Sequence, residues 1–144
     1  MLNRILIEKK LKKIEDYLRE LGTVTVPDYE SFIHDIIVKR FIERNIELSI
    51  EQMIDICKHI VSGLDLKEPE TYSQCFSILY QKGILPEDHT EIFRSMIRYR
   101  NLLIHIYDEV DDSVTWSIFS KHLADFTLFI DDIRHYLEGD IIQT

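Results

Sequence analysis

The sequence predicts an all-α protein, an up-and-down four-helix bundle with one additional short helix, formed as a single domain over residues 1–144. Three observations lead there. Only 4 Gly and 3 Pro punctuate 144 residues, so few breaks interrupt regular structure. Apolar residues make up 45% of the chain, enough for one core at this length. They recur at spacings of three and four among charged residues, the pattern of an amphipathic helix.

The first helix is expected from about Leu2 to Leu21. Ile7, Leu11, Ile14, Leu18 and Leu21 form its apolar stripe, and Gly22 stands at the C-terminal glycine position. Lys9, Lys10, Lys12 and Lys13 cover the remaining sides and read as a solvated face. Asp28 is a good N-cap for a long helix from Tyr29 to about Leu64, which holds no Pro and only Gly63 near its end. Its stripe runs through Ile33, Ile37, Phe41, Ile46, Ile50, Met53, Cys57, Ile60 and Leu64. A kink near Asn45 to Ser49, or a division into two helices, is the alternative.

After Pro69, Thr71-Tyr-Ser-Gln74 fits a capping box opening a helix of about ten residues that stops before Gly83. Pro86-Glu87-Asp88 then starts a helix reaching about Ile106, with Pro in the first turn and acids at the positive dipole end. Ile92, Phe93, Met96, Ile97, Leu103 and Ile104 make it apolar on more than one side, as suits a central helix. An acidic link containing Asp108, Glu109, Asp111 and Asp112 follows, with Asp112 or Ser113 as the cap of a last helix. Its stripe is Phe119, Leu123, Phe126, Ile130, Ile133 and Leu137, and Gly139 follows its end.

Composition narrows the function. Apolar runs of only a few residues cannot cross a membrane, and the lysine-rich N-terminus lacks the apolar stretch of an export signal, so a cytoplasmic protein is expected. Cys57 and Cys75 belong to no CxxC pair and read as small buried hydrophobes in a reducing compartment. There is no Gly-rich phosphate loop, no nucleophile elbow and no His/Cys cluster with metal spacing; no cofactor and no metal is expected. A net charge of −9 argues against a broad nucleic-acid groove while leaving room for a small basic pocket.

One stretch stands out. Arg94, Arg98, Arg100, Asn101, His105 and Tyr107 fall within 14 residues of an otherwise greasy helix. Arg94, Arg98, Asn101 and His105 share a stripe at spacings of 4, 3 and 4. Arg100 lies about 140° from His105 around an ideal helix, so the two meet only through a long guanidinium or a helix ending near His105. The set suits phosphodiester cleavage. An imidazole titrating near neutrality can take a proton from a ribose 2′-hydroxyl or give one to the leaving oxygen. A guanidinium can hold phosphate oxygens and offset the charge added in the transition state, and an Asn can orient either group. An internal 2′-hydroxyl nucleophile needs no metal and makes RNA the substrate. The plainer reading is an Arg and a His that cap carbonyls and pair with the following acids.

The string Arg100-Asn-Leu-Leu-Ile-His105-Ile-Tyr107 resembles the Rx4–6H signature of HEPN domains and, with its tyrosine, the extended Rx4HxY form of HepT-like toxins. Arg98 also meets the looser spacing, but Asn101 after Arg100 favours Arg100. Phe41-Ile-Glu43-Arg44-Asn45, then Ile50-Glu51-x-x-Ile54-Asp55-Ile56-Cys57-x-His59-Ile60, and the Pro69 to Pro86 segment with its Gly83-Ile-Leu-Pro86 turn, are similar to further parts of such domains. The resemblance implies a HEPN-like bundle forming a homodimer around a shared cleft, and RNA cleavage that blocks growth, with Arg100 and His105 catalytic and Asn101 and Arg98 in support. It also implies an MNT-type nucleotidyltransferase antitoxin that transfers AMP to Tyr107, where added charge would oppose RNA phosphate. Arg40, Arg44 and Arg94 are candidate RNA contacts. A dimer would double the arginines around one cleft. The competing function is a non-catalytic helical subunit that associates with a nucleotidyltransferase.

Overall fold

The computed structural model describes residues 2–105 and 111–143; the side chains of His105 and of residues 140–143 are outside that description. Seven helices are present among the described residues: α1 Arg4–Leu21, α2 Tyr29–His34, α3 Ile36–Gly63, α4 Tyr72–Gln81, α5 Glu87–His105, α6 Asp112–Lys121 and α7 Ala124–Gln143. None is long and apolar enough to cross a membrane.

Helix α3 is the axis of the bundle, with α1, α2, α4, α5 and α6 packed against it. Helix α7 closes the far side against α1 and α5. Ile7, Leu11, Ile14 and Leu21 of α1 are buried, as are Ile42, Ile46, Ile50, Met53, Cys57 and Ile60 of α3. Phe76 of α4, Phe93 of α5 and Phe129 of α7 meet with ring centroids 5.3–6.2 Å apart, so one aromatic cluster joins three helices. Arg134 of α7 reaches Glu8 and Glu15 of α1 through four hydrogen bonds of 2.6–3.1 Å. Hydrogen bonds from Arg134 are the first cause holding the Glu15 carboxyl below the usual carboxylate range.

The expected long second helix is broken, and at a different place. Asp35 adopts an extended backbone (φ −105°, ψ 93°) and its carboxylate accepts the Val38 N–H, ending α2 and capping α3. The break resets the helical register, so Ile37 is 79% exposed and Ile42 replaces it in the core. No break occurs at Asn45 to Ser49, because both polar side chains are satisfied in place. Ser49 donates to the Asn45 carbonyl at 2.8 Å, and Asn45 donates to Glu20 of α1 at 3.0 Å.

The last helix also divides. Asp111, rather than Asp112 or Ser113, caps α6, and the chain turns at His122–Leu123 before α7. The turn carries the chain from α2 and α3, where Trp116 packs near Tyr29 and Phe32, to α1 and α5. Gly139 lies inside α7, which continues to Gln143. The capping box at α4 is half as expected: Thr71 accepts the Gln74 N–H at 3.1 Å, while the Gln74 side chain reaches back to the N–H of Glu70 instead of Thr71. Gly22 is right-handed (φ −68°), whereas Gly83 holds a φ of 75° that a Cβ would strain.

Candidate functional site

The helix α5 carries the Arg-, Asn- and His-containing string, and its packing decides what each side chain can reach. Phe93, Met96, Ile97, Tyr99 and Leu103 turn into the core, while Arg98, Leu102 and Ile104 are exposed. Arg100 and Asn101 lie at the margin, half-buried. Each neighbour of α5 contributes a polar tie. His89 Nδ1 is 2.8 Å from the Asp132 carboxylate of α7. Arg94 donates to Ser77 Oγ of α4 at 2.6 Å. The Tyr99 hydroxyl meets Thr115 Oγ1 of α6 at 2.7 Å. Burial is the main cause pushing the Tyr99 phenol above its ordinary range; the Thr115 bond opposes it, and Glu43, Glu47 and Asp112 add to it.

Arg100 is tied to α3 and α4. Its Nη2 donates to Glu51 of α3 at 3.3 Å, and its guanidinium lies over the Tyr72 ring of α4, 5.5 Å from the centroid. The side chain is 15% exposed, and its buried Nε finds no hydrogen-bond acceptor among the described residues. Its carboxylate partner among the described residues comes from α3; Asp108 and Glu109, two of the acids that the plainer reading would pair with it, lie outside the described residues.

The other arginines are placed differently. Arg94 and Arg98 share Glu91, and Arg98 is 58% exposed. Position 105 is seven residues beyond Arg98, so its backbone falls within about 20° of the same exposed face. The His105 side chain is outside the described residues, and so is all of Tyr107; the expected meeting of Arg100 with His105 concerns atoms beyond the description. Arg40 and Arg44 are exposed on α3, paired with Glu43 at 2.9 Å and Glu47 at 3.2 Å. Residues 40, 44, 47 and 51 step by 4, 3 and 4 along one stripe of α3, which leads from these two arginines to the Glu51 that holds Arg100. Cys57 and Cys75 are free and fully buried. Among the described residues no group of three His, Cys, Asp or Glu side chains could hold a metal ion.

Glu51 and Tyr72 were not legible as site residues. Tyr72 reads from sequence as a packing or rim residue. It is 40% exposed, at the rim, with Arg100 5.5 Å and Lys58 5.9 Å from its ring centroid. Tyr72 and Lys58 also line a cleft of about 830 Å³ between the end of α3 and the α3–α4 connection. The available signal was an acidic side chain in the midst of the apolar α3 run, at Glu51.

The family model described as ribonuclease HepT-like matches residues 7–133. The chain is 26% identical over 133 residues to the mRNA nuclease HepT of Shewanella oneidensis, covering 92% of this chain and 98% of that one. It is 27% identical over 136 residues to the tRNA nuclease HepT of Aphanizomenon flos-aquae, covering 92% and 90% respectively. A solved structure of the tri-AMPylated Shewanella oneidensis HEPN toxin in complex with MNT antitoxin is similar with a TM-score of 0.83 and 25% identity, over 94% of this chain and 99% of that one. The fold is also that of YutE from Bacillus subtilis, with a TM-score of 0.82 and 24% identity over 96% and 93%. With the match running from the first turns of α1 into α7, the chain belongs to the ribonuclease HepT-like family.

Proposed function

We infer that this protein is a ribonuclease toxin, silenced when a nucleotidyltransferase antitoxin of the MNT type transfers AMP to Tyr107. The observation that carries the reading is Arg100. In a family of ribonucleases, the arginine of the R-N-x-x-x-H-x-Y string is half-buried, held by groups from two other helices, and keeps a buried N–H without an acceptor among the described residues.

The chemistry assigned to these residues is phosphodiester cleavage with the ribose 2′-hydroxyl as nucleophile. His105 takes or returns the proton, Arg100 stabilises the charge on the phosphate oxygens, Asn101 orients the pair, and Arg98 supports on the face of position 105. Because the nucleophile is internal to the RNA, no step calls for a metal. Arg44 and Arg40 offer phosphate contacts along the α3 stripe, and Arg94, tied to Ser77, is the weaker candidate. A homodimer would bring two copies of the string to one cleft. AMP on Tyr107, two residues from His105, would place a phosphate where RNA phosphate must sit.

Purified protein should cleave RNA in the presence of chelator, and Arg100→Ala or His105→Ala should each abolish cleavage. Undiminished activity in both variants would remove them from the mechanism. Co-expression with the nucleotidyltransferase should add AMP-sized mass that is lost in Tyr107→Phe. The second reading, a non-catalytic subunit, is favoured by the net charge of −9 and by cations already paired with carboxylates. It predicts tight association with a nucleotidyltransferase and no cleavage.

A further inference from the structure

The geometry points to Glu51 and Tyr72 as positioning residues that hold the Arg100 guanidinium ready for phosphate; this rests on the ribonuclease reading above. An arginine on a helix surface samples many rotamers, and ordering it at the moment of reaction costs entropy. A site gains rate when that ordering is done beforehand by rigid neighbours. Arg98 pairs with Glu91 and Ser95 on its own helix, which fixes it only relative to α5, and Arg94 reaches one other helix, through Ser77 of α4. Arg100 instead takes both of its described contacts from other helices, Glu51 from α3 and Tyr72 from α4, so its position is set by the bundle.

The two contacts are complementary. Tyr72 offers its ring to the guanidinium, a cation–π contact with Cζ 5.5 Å from the centroid that uses no hydrogen-bond acceptor. Glu51 takes one in-plane donor, Nη2, through a single long bond of 3.3 Å. Nε stays buried and without an acceptor among the described residues. Nε and Nη2 lie on the same edge of the guanidinium, and with Nε out of reach of solvent and Nη2 held by Glu51, that edge faces the protein and the remaining N–H groups are the ones left to phosphate. The arrangement restrains the arginine while leaving its donor capacity largely unspent.

The test combines kinetics and NMR on the full-length protein, with an oligoribonucleotide cleaved by the wild type as substrate. Glu51→Gln and Tyr72→Leu should each lower kcat roughly tenfold or more with KM changed no more than about twofold, the signature of a contact realised in the transition state. Tyr72→Phe, which keeps the ring face, should restore most of the rate lost in Tyr72→Leu. The Arg100 Nε–H resonance should shift and exchange faster with water in Glu51→Gln, without any RNA present. Wild-type kcat in Glu51→Gln overturns the proposal. A rise in activity would do the same, since it would make Glu51 a competitor of phosphate. If the wild type cuts no RNA but the Nε–H signal shifts as described, the holding of Arg100 is supported and the ribonuclease reading falls instead. An unchanged signal in both variants overturns the holding itself.

Discussion

Tyr99→Phe removes one oxygen from the motif helix and tests how α5 is kept in register. The Tyr99 side chain is 4% exposed and Thr115 is 0% exposed, with 2.7 Å between their oxygens. Phe fills the same space, so no cavity term enters. The cost is the lost hydrogen bond and a Thr115 hydroxyl stranded out of water, for which about 1.5 kcal/mol is expected. At this chain length that corresponds to a fall of about 5 °C in Tm, or of about 0.7 M in the urea midpoint for a slope near 2 kcal/mol/M. Urea unfolding followed by far-UV circular dichroism measures it, with an unchanged slope as the check that only stability moved. Thr115→Val added to Tyr99→Phe replaces both polar groups by apolar ones of similar shape and should recover most of the loss. A single variant within about 0.3 kcal/mol of wild type, or a double variant no better than the single, would refute the reasoning.

Three further outcomes are expected. Asp28 and Asp111 have carboxyls held below the ordinary aspartate range, Asp28 mainly by the Ser31 backbone N–H and Asp111 mainly by the Ser113 side chain. A lowered folded pKa gives stability that is present above the unfolded value of about 3.9 and lost as pH falls through the folded value; acid titrations of Asp28→Asn and Asp111→Asn should therefore converge on wild type at the acid end, and parallel curves would contradict this. Cys57 and Cys75 should react with an aromatic disulfide reagent only in denaturant, since both are 0% exposed; rapid labelling of native protein would contradict their burial. RNA binding by His105→Ala should weaken only shallowly with salt, with a slope of log K on log salt no steeper than about −2, because the proposed phosphate contacts are few and each single-strand contact contributes about −0.7; a slope near −5 would mean that lysines outside the proposed site also engage the RNA.

Most of the fold was readable because apolar spacing reports burial directly. The stripe from Ile46 through Ile60 and the one from Phe126 through Leu137 are buried as their periods require. The misplaced boundaries have a common cause. Asp35 and His122 each end a helix without Pro or Gly, through an extended or bridging backbone and a local side-chain contact that periodicity does not register. Asn45 and Ser49, which look like breakers, stay helical because Glu20 of α1 and the helix's own carbonyl satisfy them. The string from Arg94 to His105 falls on one helix, α5, as its pattern requires. Its partners did not show, because Glu51 and Tyr72 lie 49 and 28 residues before Arg100 and reach it only through the packing of α3 and α4.

The ties around α5 bear on why an acidic protein can carry a site of this kind. Apolar contacts are non-directional, and a helix greasy on several sides could rotate or slide by a fraction of a turn at little cost. Polar ties forbid this, because each demands a partner at one height and one angle. Down α5 they come at His89, Arg94, Tyr99 and Arg100, to α7, α4, α6 and α3 in turn. No neighbour can shift without leaving a half-buried donor or acceptor unpaired. The carboxylates among these partners, Asp132 and Glu51, therefore do structural service. A site built this way relies on a few charges held in place rather than on a field of many. That is the arrangement a chain of net charge −9 can support, provided each cation that touches RNA is oriented before the RNA arrives.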